Sequence, residues 1–221
     1  MEIRIKWGYK TPKGTETVFH SEEMPAAKAL LLAEDLERTG RAKNLSFIDR
    51  YDSNWSLKEL KKYLKGIETE PHNIKVYFDG GFNPGTNASG LGCAIYYEQN
   101  GKFYRLRRNA AAAEHLSNNE AEYAALYLSL QELELLNVHD MPVHFIGDSK
   151  VVINQMDGDW PVIEVNLAKW ADRIDGKMKK LGIQPEYELV PRKNNAEADQ
   201  LATQALNGIN ITGTIEIVDE Q

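Results

Sequence analysis

Asn100 and Gly101 stand between two runs rich in apolar and aromatic residues, "GLGCAIYYEQ" and "KFYRLRRNA". Both residue types accept positive φ, so an Asn-Gly pair in that setting is the strongest short signal for a β-hairpin. With "IKVYFD" upstream, three antiparallel strands are expected. Downstream the period changes from two to 3.6 residues. The order becomes a long helix from about Asn119 to Leu136, a strand "PVHFIGDS", a short helix "KVVINQM", a helix through "NLAKWADRIDGKMKKLG", a strand "EYELVPR" and a last helix "AEADQLATQAL" closed by Asn207-Gly208. That alternation predicts an α/β mixed sheet flanked by helices. The tail "ITGTIEIVDEQ" reads equally as an extra strand or a frayed end.

Residues 1–70 follow another plan. Strand "IRIKWGYK", a turn at Pro12 to Gly14, strand "TETVFHS", helix "PAAKALLLAEDLERTG", strand "NLSFIDRY" and helix "SLKELKKYLKG" make a small ββαβα unit. Gly40 and Gly66 are placed to end its helices. The aperiodic "GIETEPHN" then marks a boundary near residues 66–73. The expected division is 1–70 as a small N-terminal domain, 71–208 as the main domain and 209–221 as a tail.

No apolar run approaches the roughly 20 residues that a membrane span needs. The start, "MEIRIKWGYK", alternates charge with apolar residues and lacks the apolar block of a signal peptide, so the expected location is cytoplasmic, with no membrane partner. Cys93 is the single cysteine, which excludes an internal disulfide and a cysteine metal cage; it reads as a small core residue. The net charge of -7 argues against binding polyanions by bulk electrostatics. The acid is unevenly spread: residues 1–70 hold 13 Lys+Arg against 12 Asp+Glu, whereas the remainder holds 13 against 21.

Four acids stand out by position. Asp79 ends the apolar run of "IKVYFDGG", and the two glycines after it read as a turn. Asp148 occupies the same place in "VHFIGDSK". In "SNNEAEYAALYLSLQELELL", steps of three or four from Glu122 meet Ala125, Leu126, Ser129, Leu130 and Leu133, the stripe that must face the sheet. Steps from Glu120 meet Tyr123, Ala124, Tyr127 and Gln131. Glu122 therefore points inward, and Glu120 is a first-turn acid favoured by the helix dipole. Asp199 lies among Ala196, Ala198 and Ala202, small residues that permit close approach to another element. A lone strand-end Asp is ordinarily a turn former. Four converging acids would repel unless a cation neutralised them, and oxygen-only donors select Mg²⁺ or Mn²⁺. Two such ions about 4 Å apart serve phosphodiester cleavage.

"YFDGG", "NNEAEYAAL", "FIGDSKVVINQ" and "RKNNAEADQLA", in that order after the glycine-rich "SGLGCAIYY", resemble ribonuclease H type 1, and most of all its bacterial and archaeal reverse-transcriptase-like branch. The likeness covers about residues 73–207. It implies a ribonuclease H-like five-stranded mixed sheet, the first three strands antiparallel, and a metal-dependent endonuclease that cuts the RNA strand of RNA/DNA hybrids. The family's catalytic, metal-binding acids fall on Asp79, Glu122, Asp148 and Asp199. Asp79 and Asp148 would share two ions, Glu122 would hold the leaving-group ion and Asp199 the ion that activates water. Gly80 and Gly81 would leave room for a substrate backbone. Ser117, Asn118 and Asn119 match residues that contact the hybrid, although all three also suit a helix cap.

Some features depart from the pattern. Many members carry a His before the last helix; here Arg192 or Lys193 is the nearest substitute, and Arg192 joins the expected substrate contacts. The basic protrusion of some members is not evident, and Trp160 and Trp170 read as core. The N-terminal unit does not resemble the hybrid-binding domain of some enzymes. Its Lys6, Trp7, Tyr9, Lys10 and Lys13 fit a solvated basic face better than a nucleic-acid contact, and a protein partner for residues 1–70 stays open. The rival to the nuclease is a ribonuclease H-fold module that binds nucleic acid and cleaves weakly or not at all. Cleavage of a different substrate, such as structured RNA or single-stranded DNA, would use the same site.

Overall fold

Along the first strand Ile3 and Ile5 are buried while Arg4 and Lys6 are only half-buried, the alternation of a strand with one covered face. A computed structural model describes residues 1–40, 42–112 and 116–218, and divides the chain into two compact units, Met1–Thr69 and Glu70–Gln221. The first unit runs β1 (Glu2–Lys10), β2 (Glu16–His20), β3 (Met24–Pro25), α1 (Ala26–Arg38), β4 (Lys43–Asp49), β5 (Asn54–Trp55) and α2 (Leu57–Thr69). This is the expected ββαβα order with two added two-residue strands. β1 is central, antiparallel to β2 and β4. Ala26, Ala29 and Ala33 of α1 and Leu60 of α2 close over Ile3, Ile5 and Phe47. Trp7 stacks on Phe19 and Lys10 pairs with Glu16.

The expected boundary segment is shorter than its composition implied. Helix α2 continues through Gly66 to Thr69, and the next strand starts at His72. A glycine inside a helix lowers its propensity without forbidding it, so Gly66 does not end α2.

The second unit contains β6 (His72–Asn83), β7 (Ala88–Gln99), β8 (Lys102–Ala111), α3 (Asn118–Leu135), β9 (Pro142–Gly147), α4 (Lys150–Met156), α5 (Val165–Leu181), β10 (Gln184–Leu189), α6 (Ala196–Leu206) and β11 (Thr212–Ile217). Asn100 and Gly101 adopt φ of 54° and 71° at the β7–β8 hairpin, as expected of that pair. The sheet has the order β10-β9-β6-β7-β8-β11. β6, β7 and β8 are antiparallel, and β9 and β10 run parallel to β6.

The sheet thus holds six strands rather than the expected five, because the tail pairs with β8 from Thr212↔Arg108 to Ile217↔Phe103. Residues 219–221 of the tail lie outside the described residues. Buried Asn109 fastens the lead into β11. Its Nδ2 donates to Leu201 O at 3.0 Å and Ile209 O at 2.9 Å, and its Oδ1 accepts the Ile211 N–H at 2.7 Å. Asn109→Ala would strand three backbone groups and is expected to cost about 1–3 kcal/mol. Denaturant unfolding and faster hydrogen exchange across residues 209–217 would show it.

Glycines set how closely the helices cover the sheet. A Cβ on Gly90 or Gly92 would lie under 3.0 Å from the α6 backbone, so that the Ala-rich face of α6 rests directly on β7. The opposite face receives α3, with Phe78, Phe145, Tyr123, Leu126 and Leu130 in the core between. Cys93 is buried there too. Among the described residues no helix is long and apolar enough to cross a membrane.

Candidate active site

β6 does not end at Asp79. It runs on through Gly80 and Gly81 to Asn83, and Asp79 pairs with Gly92 in the middle of the strand. The sequence reads the glycines as a turn with room for a substrate. The space above Gly80 is instead taken by α3: a Cβ there would lie under 3.0 Å from Ala121 C and Glu122 N. Gly81, facing the other way, is met by Leu206 and Ala202 of α6.

That close approach sets Glu122 beside Asp79. Helix α3 starts in a capping box, with Ser117 Oγ accepting the Glu120 N–H and Glu120 Oε2 accepting the Ser117 N–H. Two residues on, Glu122 is 8% exposed and its Oε2 accepts the Gly80 N–H at 3.2 Å. Glu120 therefore closes the helix end and Glu122 faces inward, as the helical stepping indicates. Asp148 follows β9 directly, at the carboxyl end of a parallel strand where α/β sheets gather their ligands. Carboxylate oxygens of Asp79, Glu122 and Asp148 all lie within 4.8 Å of one another.

Asp199 stands outside this trio. The Arg192 guanidinium donates to its carboxylate, although its charge still reaches Asp79. Burial, then the neighbouring Asp148 and Asp199, push the Asp79 carboxyl up to about 7. Glu122 is pushed up to about 8 by burial first and then by Asp79 and Asp148, against the opposing pull of the Gly80 N–H and Arg192. These are the responses of like charges held in a poorly solvated place.

Beside the trio opens a cleft of about 450 Å³ lined by Asp148, Lys150, Leu189, Val190, Pro191 and Arg192. Ser117 and Asn118 are exposed at the α3 start, with Asn119 half-buried behind them. Trp170 packs against Tyr127 beneath Arg173, whereas Trp160 is 45% exposed and not the core residue expected. It lies in the turn after α4, where its backbone N–H donates to Asn154 O of that helix at 3.0 Å.

Sequence reasoning missed Lys150 and Asn195. Asn195 Nδ2 donates to Asp148 Oδ1 at 2.9 Å, a bond spanning 47 positions that no local pattern announces.

A family model described as reverse transcriptase-like matches residues 77–205. The chain belongs to the reverse transcriptase-like family. A relative within reach of both units is the uncharacterized protein YpeP of Bacillus subtilis, 41% identical over 197 residues that make up 88% of this chain and 87% of that protein. That match is longer than the second unit and so takes in much of the first. The bifunctional protein Rv2228c of Mycobacterium tuberculosis is 30% identical over 137 residues, 61% of this chain and 35% of that protein. Among solved structures, the N-terminal RNase H domain of Rv2228c superposes with a TM-score of 0.53 at 27% identity, covering 62% of this chain and 94% of that one. LC11-RNase H1 in complex with RNA/DNA hybrid gives a TM-score of 0.55 at 28% identity, over 62% and 98%. The reverse transcriptase-like unit of this chain therefore has the type 1 ribonuclease H fold, with β11 as a sixth strand on the β8 edge.

Proposed function

We propose that the reverse transcriptase-like unit is an endonuclease that hydrolyses the RNA strand of RNA/DNA hybrids with divalent cations held at Asp79, Glu122, Asp148 and Asp199. The observation that carries this reading is the carboxylate trio within 4.8 Å, contributed by β6, the end of β9 and the first turns of α3. It is supported by the likeness to a ribonuclease H1 solved with a hybrid.

The donor set fits the cation. All its ligand atoms are carboxylate oxygens, the choice of Mg²⁺ and Mn²⁺. Burial and repulsion keep Asp79 and Glu122 partly protonated near neutral pH, a cost that a bound divalent charge offsets. Held by Asp79, Glu122, Asp148 and Asp199, such cations would supply activation of a water and stabilisation of the leaving oxygen.

The chain's own groups do the rest. Asp79 and Glu122 must shed their protons to act as ligands, so the chain takes up the cation more tightly as pH rises through neutrality. Lys150 and Arg192 line the cleft at the trio and hold the backbone phosphates on either side of the scissile bond. Asn118 and Asn119, with Ser117 before them, offer amide and hydroxyl groups to 2′-hydroxyls and base edges, which is how a protein tells RNA from DNA at one position. No side chain of the trio is a nucleophile of the kind that forms a covalent intermediate here, since each carboxylate is committed to holding the cation.

A strand-labelled RNA/DNA hybrid, incubated with Mg²⁺ or Mn²⁺ separately, tests the reading. Metal-dependent cuts in the RNA strand are expected from the intact chain. Loss of a group that merely supports a ligand costs about 10- to 100-fold, so Asp148→Asn should fall by at least about 100-fold. Single-stranded RNA, duplex RNA and single-stranded DNA distinguish the substrate. A folded chain that binds hybrid without cutting it in either metal would overturn the nuclease and favour a binding module.

A further inference from the structure

Asn195 occupies the N-cap position of α6, where an Asn side chain ordinarily bonds the helix's first free N–H groups. Here it makes no such cap. It is 1% exposed, and its Nδ2 reaches across to the sheet, donating to Phe78 O at 2.9 Å and to Asp148 Oδ1 at 2.9 Å. Both partners are acceptors, so the amide cannot be turned over without placing oxygen against oxygen. Its own Oδ1 is left buried with no hydrogen-bond partner. A buried, unsatisfied carbonyl is unfavourable, and an N-cap bond forgone is a second loss. What the residue gains is the position of its nitrogen.

That position joins the acids. Phe78 directly precedes Asp79 in β6, Asp148 is bonded through its carboxylate, and the main-chain carbonyl of Asn195 accepts the Asp199 N–H at 3.1 Å. We propose that Asn195 is a positioning residue for the cation site: its Nδ2 fixes the orientation of the Asp148 carboxylate relative to Asp79 and ties both to the first turn of α6, which bears Asp199. The inference rests on the reading of the carboxylate trio as a cation site. A carboxylate with one oxygen fixed by a donor keeps its other lone pairs aimed, the arrangement by which outer groups tune a ligand. A tie that only fastened α6 to the sheet would need the bond to Phe78 O and not the one to Asp148.

Mn²⁺ binding to the intact chain, measured by calorimetry with Asn195→Ala beside wild type, separates these roles. The variant is expected to bind Mn²⁺ about 10- to 100-fold more weakly while its circular dichroism stays that of a folded chain. Equal affinity in a folded variant overturns the inference and leaves the cation site standing; wild type that takes up no Mn²⁺ overturns both. If the variant does not fold, the wild-type Asn195 side-chain amide decides. Its proton resonances should shift as Mg²⁺ is added, because the carboxylate it bonds changes its surroundings. Resonances that stay put through a Mg²⁺ titration that saturates the site would overturn the inference as well.

Discussion

Asp79→Asn is expected to make the metal-free chain more stable at pH 9 while abolishing cleavage. Burial, followed by Asp148 and Asp199, lifts the Asp79 carboxyl from an ordinary 3.8 to about 7, and Glu122 from 4.5 to about 8. A carboxyl whose folded value exceeds its unfolded one binds more protons folded than unfolded. Its contribution to stability is fully present below the unfolded value and is lost as pH rises through the folded one. The metal-free chain should therefore weaken between pH ~4 and ~8. At about 1.4 kcal/mol for each pKa unit, Asp79 alone accounts for roughly 4 kcal/mol of that loss. An asparagine of the same shape carries no charge to desolvate and relieves Glu122 of a neighbour that repels it. Urea midpoints at pH 5 and pH 9, in the presence of a chelator, should fall steeply for wild type and much less for Asp79→Asn. Mg²⁺ should restore wild type at pH 9, by mass action on the folded state alone, and do little for the variant. Equal pH dependence in the two proteins would show that the acids are not held as the fold places them.

The parts of this site that the sequence revealed are those whose reason is local. Glu122 was distinguishable from Glu120 because helical stepping is a property of neighbouring residues, and the structure buries the first and uses the second in a capping box. Asp148 was legible for the same reason, as the acid that follows an apolar strand. Gly80 and Gly81 misled, because a glycine signals equally a turn and the absence of a side chain. Which of the two applies depends on a helix some 40 positions away. Asn195 gave no signal at all, since an Asn before a helix is a cap by default and its bond to Asp148 exists only once α6 packs on β6 and β7. The sixth strand was ambiguous because "TGTIEI" has a strand's alternation but no partner in sequence. Asn109, 92 positions from Leu201, supplies the anchor that decides it.

Gly80→Ala is the second large expectation, and Gly81→Ala is its control. A Cβ on Gly80 would lie under 3.0 Å from Ala121 C, Glu122 N and Ala121 O, all backbone atoms of α3. No rotamer change relieves a clash with backbone, so the helix must lift from the sheet or the strand must bend. Overpacking a core by a methyl group costs about 1–3 kcal/mol when side chains can yield. A larger loss, above about 3 kcal/mol, is expected where they cannot, together with the hydrogen bond from Gly80 N–H to Glu122 Oε2. On Gly81 the added carbon would meet the tip of Leu206 at 3.2 Å and Ala202 Cβ at 3.6 Å. A flexible Leu can give way, so the expected cost there is below about 1 kcal/mol. Urea denaturation of the two variants measures the difference. Because α3 bears Glu122, the Gly80 variant should also bind Mn²⁺ more weakly even under conditions where it remains folded, while Gly81→Ala should bind as wild type does. Two variants of equal stability would mean that α3 does not rest on Gly80, and the account of how Glu122 comes to stand beside Asp79 would fall with it.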